Sequence, residues 1–244
     1  MSRVGPAPSI VRLGRVESTQ TVAFRLAAEG AEDGTVVVAD AQAAGRGRRG
    51  RAWLDEPGAS LLASIVLRPR LELALLPALS LAAGVAVAEA LTGAAGLMPR
   101  LKWPNDVLVG GRKVAGILLE SRLEAAPLVV LGIGVNLAQR MFPAELAGRA
   151  TSVWLATGCL VERDTLLPAL LDTWDHWRWR LEREGFAPVR ERWRALADTL
   201  GRTVTVDGVT GLAVDVDTTG ALVVDDAEGR RRRILAGDIS EAGR

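Results

Sequence analysis

The chain of 244 residues has one cysteine, Cys159, one histidine, His176, and no tyrosine. A lone cysteine excludes an internal disulfide framework and suits a reducing compartment, so a cytoplasmic location is expected. One Cys and one His cannot assemble a Cys/His metal cluster, and both read as structural or incidental. An excess of either charge is also missing: 30 Lys and Arg stand against 29 Asp and Glu, a net charge of +1. That argues against a globally basic surface coating nucleic acid or an anionic membrane. The opening residues, MSRVGPAPSIVRLGRVE, lack the apolar core of a signal peptide. Residues 73–98 carry a single charge, Glu89. A helix from Pro77 to near Gly93 would span about 25 Å, short of the ~30 Å hydrocarbon core. Its Ala-rich composition and internal acid read as a buried helix of a core, with no membrane partner.

What is present is an alternation of helical and extended patterns, with an apolar fraction of 49% that can fill a sizeable core. Residues 17–31 predict a helix with Ser18 or Thr19 as N-cap and Gly30 as its stop. GTVVVAD (34–40), SLLASIVLR (60–68) and PLVVLGIGVNLA (127–138) read as strands. Residues 77–92 are the buried helix. Residues 101–120 look like a hairpin turning at Gly110-Gly111. A long helix is expected over 164–184, capped by Asp164 and stopped by Gly185, with Trp174 and Trp177 as core residues. A shorter helix follows over 187–199. From Gly201 onward short strands alternate with turns, as in a small barrel. The expected organisation is an α+β domain over 1–199, a mixed sheet packed with helices, and a β unit over 200–244.

Between two of the expected strands lies QAAGRGRRGRAW (42–53). Gly45, Gly47 and Gly50 alternate there with Arg46, Arg48, Arg49 and Arg51. The letters match a dinucleotide-binding fingerprint, but six residues separate them from the valines and loop chemistry follows. An Arg/Gly nucleic-acid binder with Trp53 as a stacking platform is opposed by the balanced charge. A merely solvated loop has no need of three glycines. The remaining reading is a mobile clamp for more than one anion. Glycine lets backbone N–H groups approach a ligand, and arginine supplies forked donors. Two negative charges ~4 Å apart repel by about 4 kcal/mol at an effective dielectric near 20. A reaction that presses a carboxylate against a phosphate must offset that.

With Gly110-Gly111 as the turn, Val109 faces Arg112 and Leu108 faces Lys113. Lys113 then shares a sheet face with Lys102, Asp106 and Ala115. Asp106 becomes its diagonal neighbour, at about 7–8 Å between Cα atoms. Such a pair can hold a phosphate with its magnesium ion, or form a plain surface ion pair. In KWPND (102–106) Pro104 removes a ladder donor, which marks an edge or a functional bend.

ESTQ (17–20), QAAGRGRRGRAW (42–53), KWPNDVLV (102–109), RKVAGILLE (112–120) and GIGVNL (132–137) together resemble the biotin–protein ligases, in order and spacing. The resemblance spans the α+β domain, and the β tail matches in kind. It implies a class II synthetase-like catalytic domain with an SH3-like C-terminal domain. It implies ATP, Mg2+ and biotin, formation of biotinyl-5′-AMP, and transfer to a lysine of a biotin carboxyl carrier domain. By motif, Ser18, Thr19, Gln20 and Gln42 would meet the biotin ureido ring. Gln20 stands where the family usually has Asn. Arg46, Gly47 and Arg48 would lie over the biotin carboxylate and α-phosphate, with Arg49 and Arg51 toward the nucleotide. Trp53 would flank the adenine or fix the loop. Lys113 would reach carboxylate and α-phosphate. Asn105, Asp106 and Asn136 would serve ribose, phosphate or magnesium, and Lys102 the nucleotide. Arg48, Lys113 and Asp106 are the catalytic candidates, with Asp106 orienting or deprotonating the acceptor amine.

Some family members carry an N-terminal DNA-binding domain. Here the motifs begin at residue 17, so DNA binding is not expected. The tail, GDISEAGR (237–244), departs from the family's Gly-Glu-Ile-Ser-Leu-Arg pattern. The Arg230–Arg233 run would be a solvated strand edge or a contact for an acidic carrier. A monomer or homodimer is expected. The nearest alternative is a lipoate or octanoate ligase or transferase on the same fold. A more distant one is a non-catalytic nucleic-acid binder.

Overall fold

Branched aliphatic residues dominate 34–40 and 60–68, and both runs become central strands because neither face can be left in water. The computed structural model describes residues 8–123 and 127–241. A seven-stranded sheet holds β1 (Ile10–Val16), β2 (Val36–Gln42), β3 (Ser60–Leu67), β4 (Arg100–Lys102), β5 (Asp106–Val109), β6 (Arg112–Leu123) and β7 (Pro127–Asn136). Its order is β1-β2-β3-β7-β6-β5-β4. β1 and β2 are parallel, and the other neighbours are antiparallel. The sheet is therefore mixed, as expected of an α+β domain. β1 is an addition to the expected elements. It is a half-exposed edge strand, and its arginines break the apolar pattern that would have marked it.

α1 (Thr19–Ala28) covers one face of this sheet, packing Ala23, Phe24 and Ala27 on Val37, Val66 and Val130. The other face carries α2 (Ala78–Ala95), and further out α4 (Arg163–Glu184) and α5 (Ala187–Leu196); a short α3 (Val153–Thr157) precedes them. Residues 73–95 are long and apolar enough to cross a membrane by length and composition alone. The core accounts for that composition, because α2 lies between the sheet and α4 and buries residues all round its circumference. Its acid, Glu89, accepts from Trp177 Nε1 and from Arg192 Nε, both at 2.8 Å. Trp174 and Trp177 are buried in the core, as expected. Asp164 is not the cap of α4. Glu162 holds the N-cap position and Asp164 lies in the first turn, paired with Arg12 at 2.7 Å.

A second, antiparallel sheet, ordered β11-β10-β9-β8-β12, follows. Its strands are β8 (Thr203–Val206), β9 (Val209–Val216), β10 (Leu222–Asp226), β11 (Arg231–Ile234) and β12 (Ser240–Glu241). This is the small SH3-like unit. It meets the first domain where Trp103 Nε1 donates to Gly220 O at 3.0 Å, and where Arg190 and Arg194 pair with Asp215. The arginine run proves to be an outer edge. Arg230 and Arg232 pair with Asp226, Arg231 with Asp225 and Arg233 with Asp217. Residues 242–244 of the tail and 1–7 of the N-terminus lie outside the described residues.

Candidate active site

A cavity of about 800 Å³ opens on the α1 face of the sheet, roofed by the arginine loop. Ser18, Thr19, Gln20, Gln42, Arg46, Gly47, Arg48, Arg51, Trp53, Lys102, Asn105, Asp106, Lys113 and Asn136 all line it. Of the expected site residues only Arg49 stays outside. A smaller cavity of about 390 Å³ beside Arg163 contains none of them.

The α1 end of the cavity is built by an exchange of capping roles. Ser18 occupies the N-cap position with extended backbone, yet its hydroxyl makes no cap bond. Gln42, at the end of β2, caps instead: its Oε1 accepts from Thr19 N at 2.8 Å and from Thr19 Oγ1 at 3.1 Å. Ser64 Oγ donates to Thr19 Oγ1 at 2.8 Å. Ser18 Oγ and Gln20 Oε1 are left buried with no partner. An unpaired buried acceptor costs about 1–3 kcal/mol. Both residues line this cavity, and since Gln20 Oε1 can only accept and Ser18 Oγ can accept, they suit a ligand that brings N–H donors.

The arginine loop holds a single 3-10 turn, Arg48–Gly50, with no helix opening from it, which removes the dinucleotide-fingerprint reading. Arg49 is held in left-handed backbone at φ 55°. Its side chain points away from the cavity to Asp207, bonding both carboxylate oxygens at 2.8 and 3.0 Å. Arg48 and the more exposed Arg51 both line the cavity and share Asp238 Oδ1, at 3.5 and 2.9 Å. Arg48 also reaches Gly237 O at 3.1 Å and Asn105 Oδ1 at 3.3 Å. Burial lowers the Arg48 pKa from its ordinary value; Asp238 opposes that shift, and the charges of Arg49 and Arg51 add to it. The guanidinium groups are crowded enough to need the acids of the second sheet.

Trp53 fixes the loop to the floor. A Cβ placed on Gly134 would stand 2.6 Å from its ring, and one on Gly116 would stand 2.9 Å away. The two glycines thus let the indole lie flat on the sheet, with Lys113 Nζ 5.6 Å from its ring centre.

The hairpin turns at Gly110 and Gly111, both with positive φ as the tight turn requires. Val109 faces Arg112 and Leu108 faces Lys113, as expected, but a bulge then shifts the register. Val107 pairs with Ala115 and Asp106 with Gly116, so Val114 is the extra residue. Ala115 therefore turns to the core and does not share a face with Lys113. The run 101–109 is also not one strand. Trp103, Pro104 and Asn105 form the turn between β4 and β5, and β4 is the sheet edge. That turn points Asn105 inward, where Nδ2 donates to Ile117 O at 2.8 Å. Lys113 Nζ meets Asp106 Oδ1 at 2.6 Å inside the cavity, so theirs is not a plain surface pair. Asn136 spends its amide N–H on Thr151 O at 3.0 Å.

Residues 13–136 match the biotin/lipoate A/B protein ligase family, and residues 199–240 match the biotin protein ligase C-terminal domain. The chain belongs to the biotin/lipoate A/B protein ligase family. Over 230 residues this ligase-family chain is 39% identical to biotin–[acetyl-CoA-carboxylase] ligase of Paracoccus denitrificans, covering 90% of itself and 95% of that protein. Over 232 residues it is 37% identical to the bifunctional ligase/repressor BirA of Bacillus subtilis, covering 92% of itself and 71% of that protein. The biotin protein ligase of Aquifex aeolicus, solved with biotin and ATP, superposes with a TM-score of 0.84 at 34% identity, covering 95% and 97% of the two chains.

Three further polar residues belong to this ligase-family site. Glu120 accepts from Gln20 and Arg46. Asp207 and Asp238 hold the arginine loop from the second sheet. Glu120 had a readable signal, since it alternates with Gly116 and Leu118 on one face of β6. The two aspartates had none, because nothing local says which loop a distant turn will meet.

Proposed function

We propose that this chain is an ATP-dependent biotin–protein ligase that forms biotinyl-5′-AMP and passes biotin to one lysine of a biotin carboxyl carrier domain. The observation that carries the reading is the meeting, in one cavity, of unpartnered acceptors at one end, Arg48 and Arg51 of the loop above, and the Lys113–Asp106 pair on the floor. The ureido ring lies against Ser18, Thr19, Gln20 and Gln42, and the nucleotide lies beneath Arg48 and Arg51 and beside Lys102, Asn105 and Asn136. Residues 1–199 form the catalytic domain and residues 200–244 the C-terminal domain, whose Asp207 and Asp238 buttress the arginine loop.

In the first step a biotin carboxylate oxygen attacks the α-phosphorus of ATP. The P–O bond to pyrophosphate breaks, and the mixed anhydride forms. Lys113, Arg46 and Arg48 offset the repulsion between carboxylate and phosphate, on the order of 4 kcal/mol at ~4 Å. Among the described residues no three His, Cys, Asp or Glu converge on a metal site. A magnesium ion would therefore be held mainly by the phosphate oxygens, where it would neutralise phosphate charge.

In the second step the carrier lysine attacks the acyl carbon and AMP leaves. Only about one in a few thousand free lysines is neutral at pH 7. Asp106, released from Lys113, orients the amine and takes its proton. The glycine-hinged loop keeps water off the anhydride meanwhile. The test is mass spectrometry of a carrier domain incubated with this chain, ATP and magnesium, with biotin, lipoate or octanoate in separate arms. One biotin added to one lysine is the expected result. Addition only in the lipoate or octanoate arm overturns the reading.

A further inference from the structure

Glu120 stands beside the α1 end of the cavity, on the β6 face that carries Gly116 and Leu118. One of its oxygens, Oε2, accepts from Gln20 Nε2 at 2.9 Å and from Arg46 Nη2 at 3.1 Å. A single carboxylate oxygen thus joins the first turn of α1 to the arginine loop. Gln20 itself is 3% exposed, and its amide nitrogen also reaches Val130 O at 3.4 Å.

A carboxylate only accepts, so it settles which way the amide must face. The Gln20 N–H groups go to Glu120 and Val130, and Oε1 becomes the spare acceptor, buried without a partner. Were the amide reversed, two oxygens would be pressed together beside the cavity. We propose that Glu120 is a positioning residue for the biotin ring. It locks the Gln20 amide so that Oε1 accepts a ureido N–H, and it holds Arg46 across the same end. This rests on the biotin reading. It also gives a physical account of the longer Gln20 side chain: the amide gains an anchor on β6.

The test is pyrophosphate exchange by the full chain, comparing wild type with Glu120→Gln, Glu120→Leu and Glu120→Asp. Each is offered biotin and biotin methylated on a ureido nitrogen. Glu120→Leu is expected to raise KM for biotin roughly tenfold or more, with kcat and KM for ATP within about threefold. Its preference for biotin over the methylated compound should shrink. Glu120→Gln, which fits the same space but no longer dictates the amide's direction, should show the same loss of preference in milder form. Glu120→Asp should recover part of it. If Glu120→Leu fails to fold, Glu120→Gln carries the comparison. A lower Tm with an unchanged preference ratio would mean a purely structural role and overturns the proposal. Absence of biotin-dependent exchange in the wild type overturns the biotin reading, and this proposal with it. Wild-type activity with an unaltered ratio in the variants overturns this proposal alone.

Discussion

Lys113 Nζ lies 2.6 Å from Asp106 Oδ1, across a β5–β6 ladder that a bulge has shifted by one residue. The two groups have separable tasks. Lys113 offsets charge while the anhydride forms, and Asp106 serves the amine that breaks it. Lys113→Ala should lower the rate of adenylate formation by roughly 10²–10³-fold. Asp106→Asn should lower acyl transfer by about 10²-fold and adenylate formation much less. Single-turnover measurement of each half-reaction separates them. Equal losses in both steps for Asp106→Asn would refute its assignment to the amine.

Asp238 holds two guanidinium groups on one oxygen. Without it Arg48, Arg49 and Arg51 repel one another, and the half-buried Arg48 loses the charge that opposes its desolvation. Asp238→Asn should therefore raise KM for ATP several-fold and hasten hydrolysis of the bound adenylate. A rapid-quench assay of adenylate lifetime is the measurement. A lifetime equal to that of wild type would show that the loop needs no acid from the second sheet.

The central strands and the buried α2 were legible because burial on both faces leaves continuous apolar runs. The Gly110-Gly111 turn was legible because tight hairpins need positive φ at both positions. The cavity was legible as motifs: all but one of the expected residues line it, though most of their partners could not be named. β1 was hidden by its arginines. The N-cap position of α1 is legible at Ser18, but the capping oxygen is not, because Gln42, which supplies it, lies a strand away. The bulge at Val114 has no letter of its own, so the facing of Ala115 was unreadable. Arg49 looks like its neighbours in the sequence, but its left-handed backbone sends it outward to Asp207.

Gly134 and Gly116 make a floor for Trp53, and their tolerance to a methyl group should differ. At Gly134 the new carbon would meet the rigid indole at 2.6 Å. At Gly116 it would meet the ring at 2.9 Å and the flexible end of Lys113 at 3.0 Å. Gly134→Ala should lift the ring, cost about 1–3 kcal/mol of stability and raise KM for biotin. Gly116→Ala should cost less stability but disturb Lys113 and adenylation. Chemical denaturation with tryptophan emission reports the first, and exchange kinetics the second. Equal stability losses would show that Trp53 does not rest on Gly134.

Acid should weaken the C-terminal sheet through its arginine edge. Desolvation would raise the Asp226 pKa, but hydrogen bonds from the Arg230 backbone and from the Arg232 and Arg230 side chains outweigh it and bring the pKa to about 2. Asp217 is also lowered: desolvation there is outweighed by hydrogen bonds from Arg233 and from Thr219 and Ala221. An aspartate whose folded pKa lies below its unfolded value near ~3.9 stabilises the fold above that value. The contribution fades as pH falls from about 4 toward 2, when the folded state must at last take up the proton. Asp226→Asn should therefore lower Tm at pH 7 and flatten its dependence on pH between about 4 and 2. Calorimetric scans across that range check it. A variant whose Tm falls as steeply with acid as the wild type would show that Asp226 is not among the groups that titrate on unfolding.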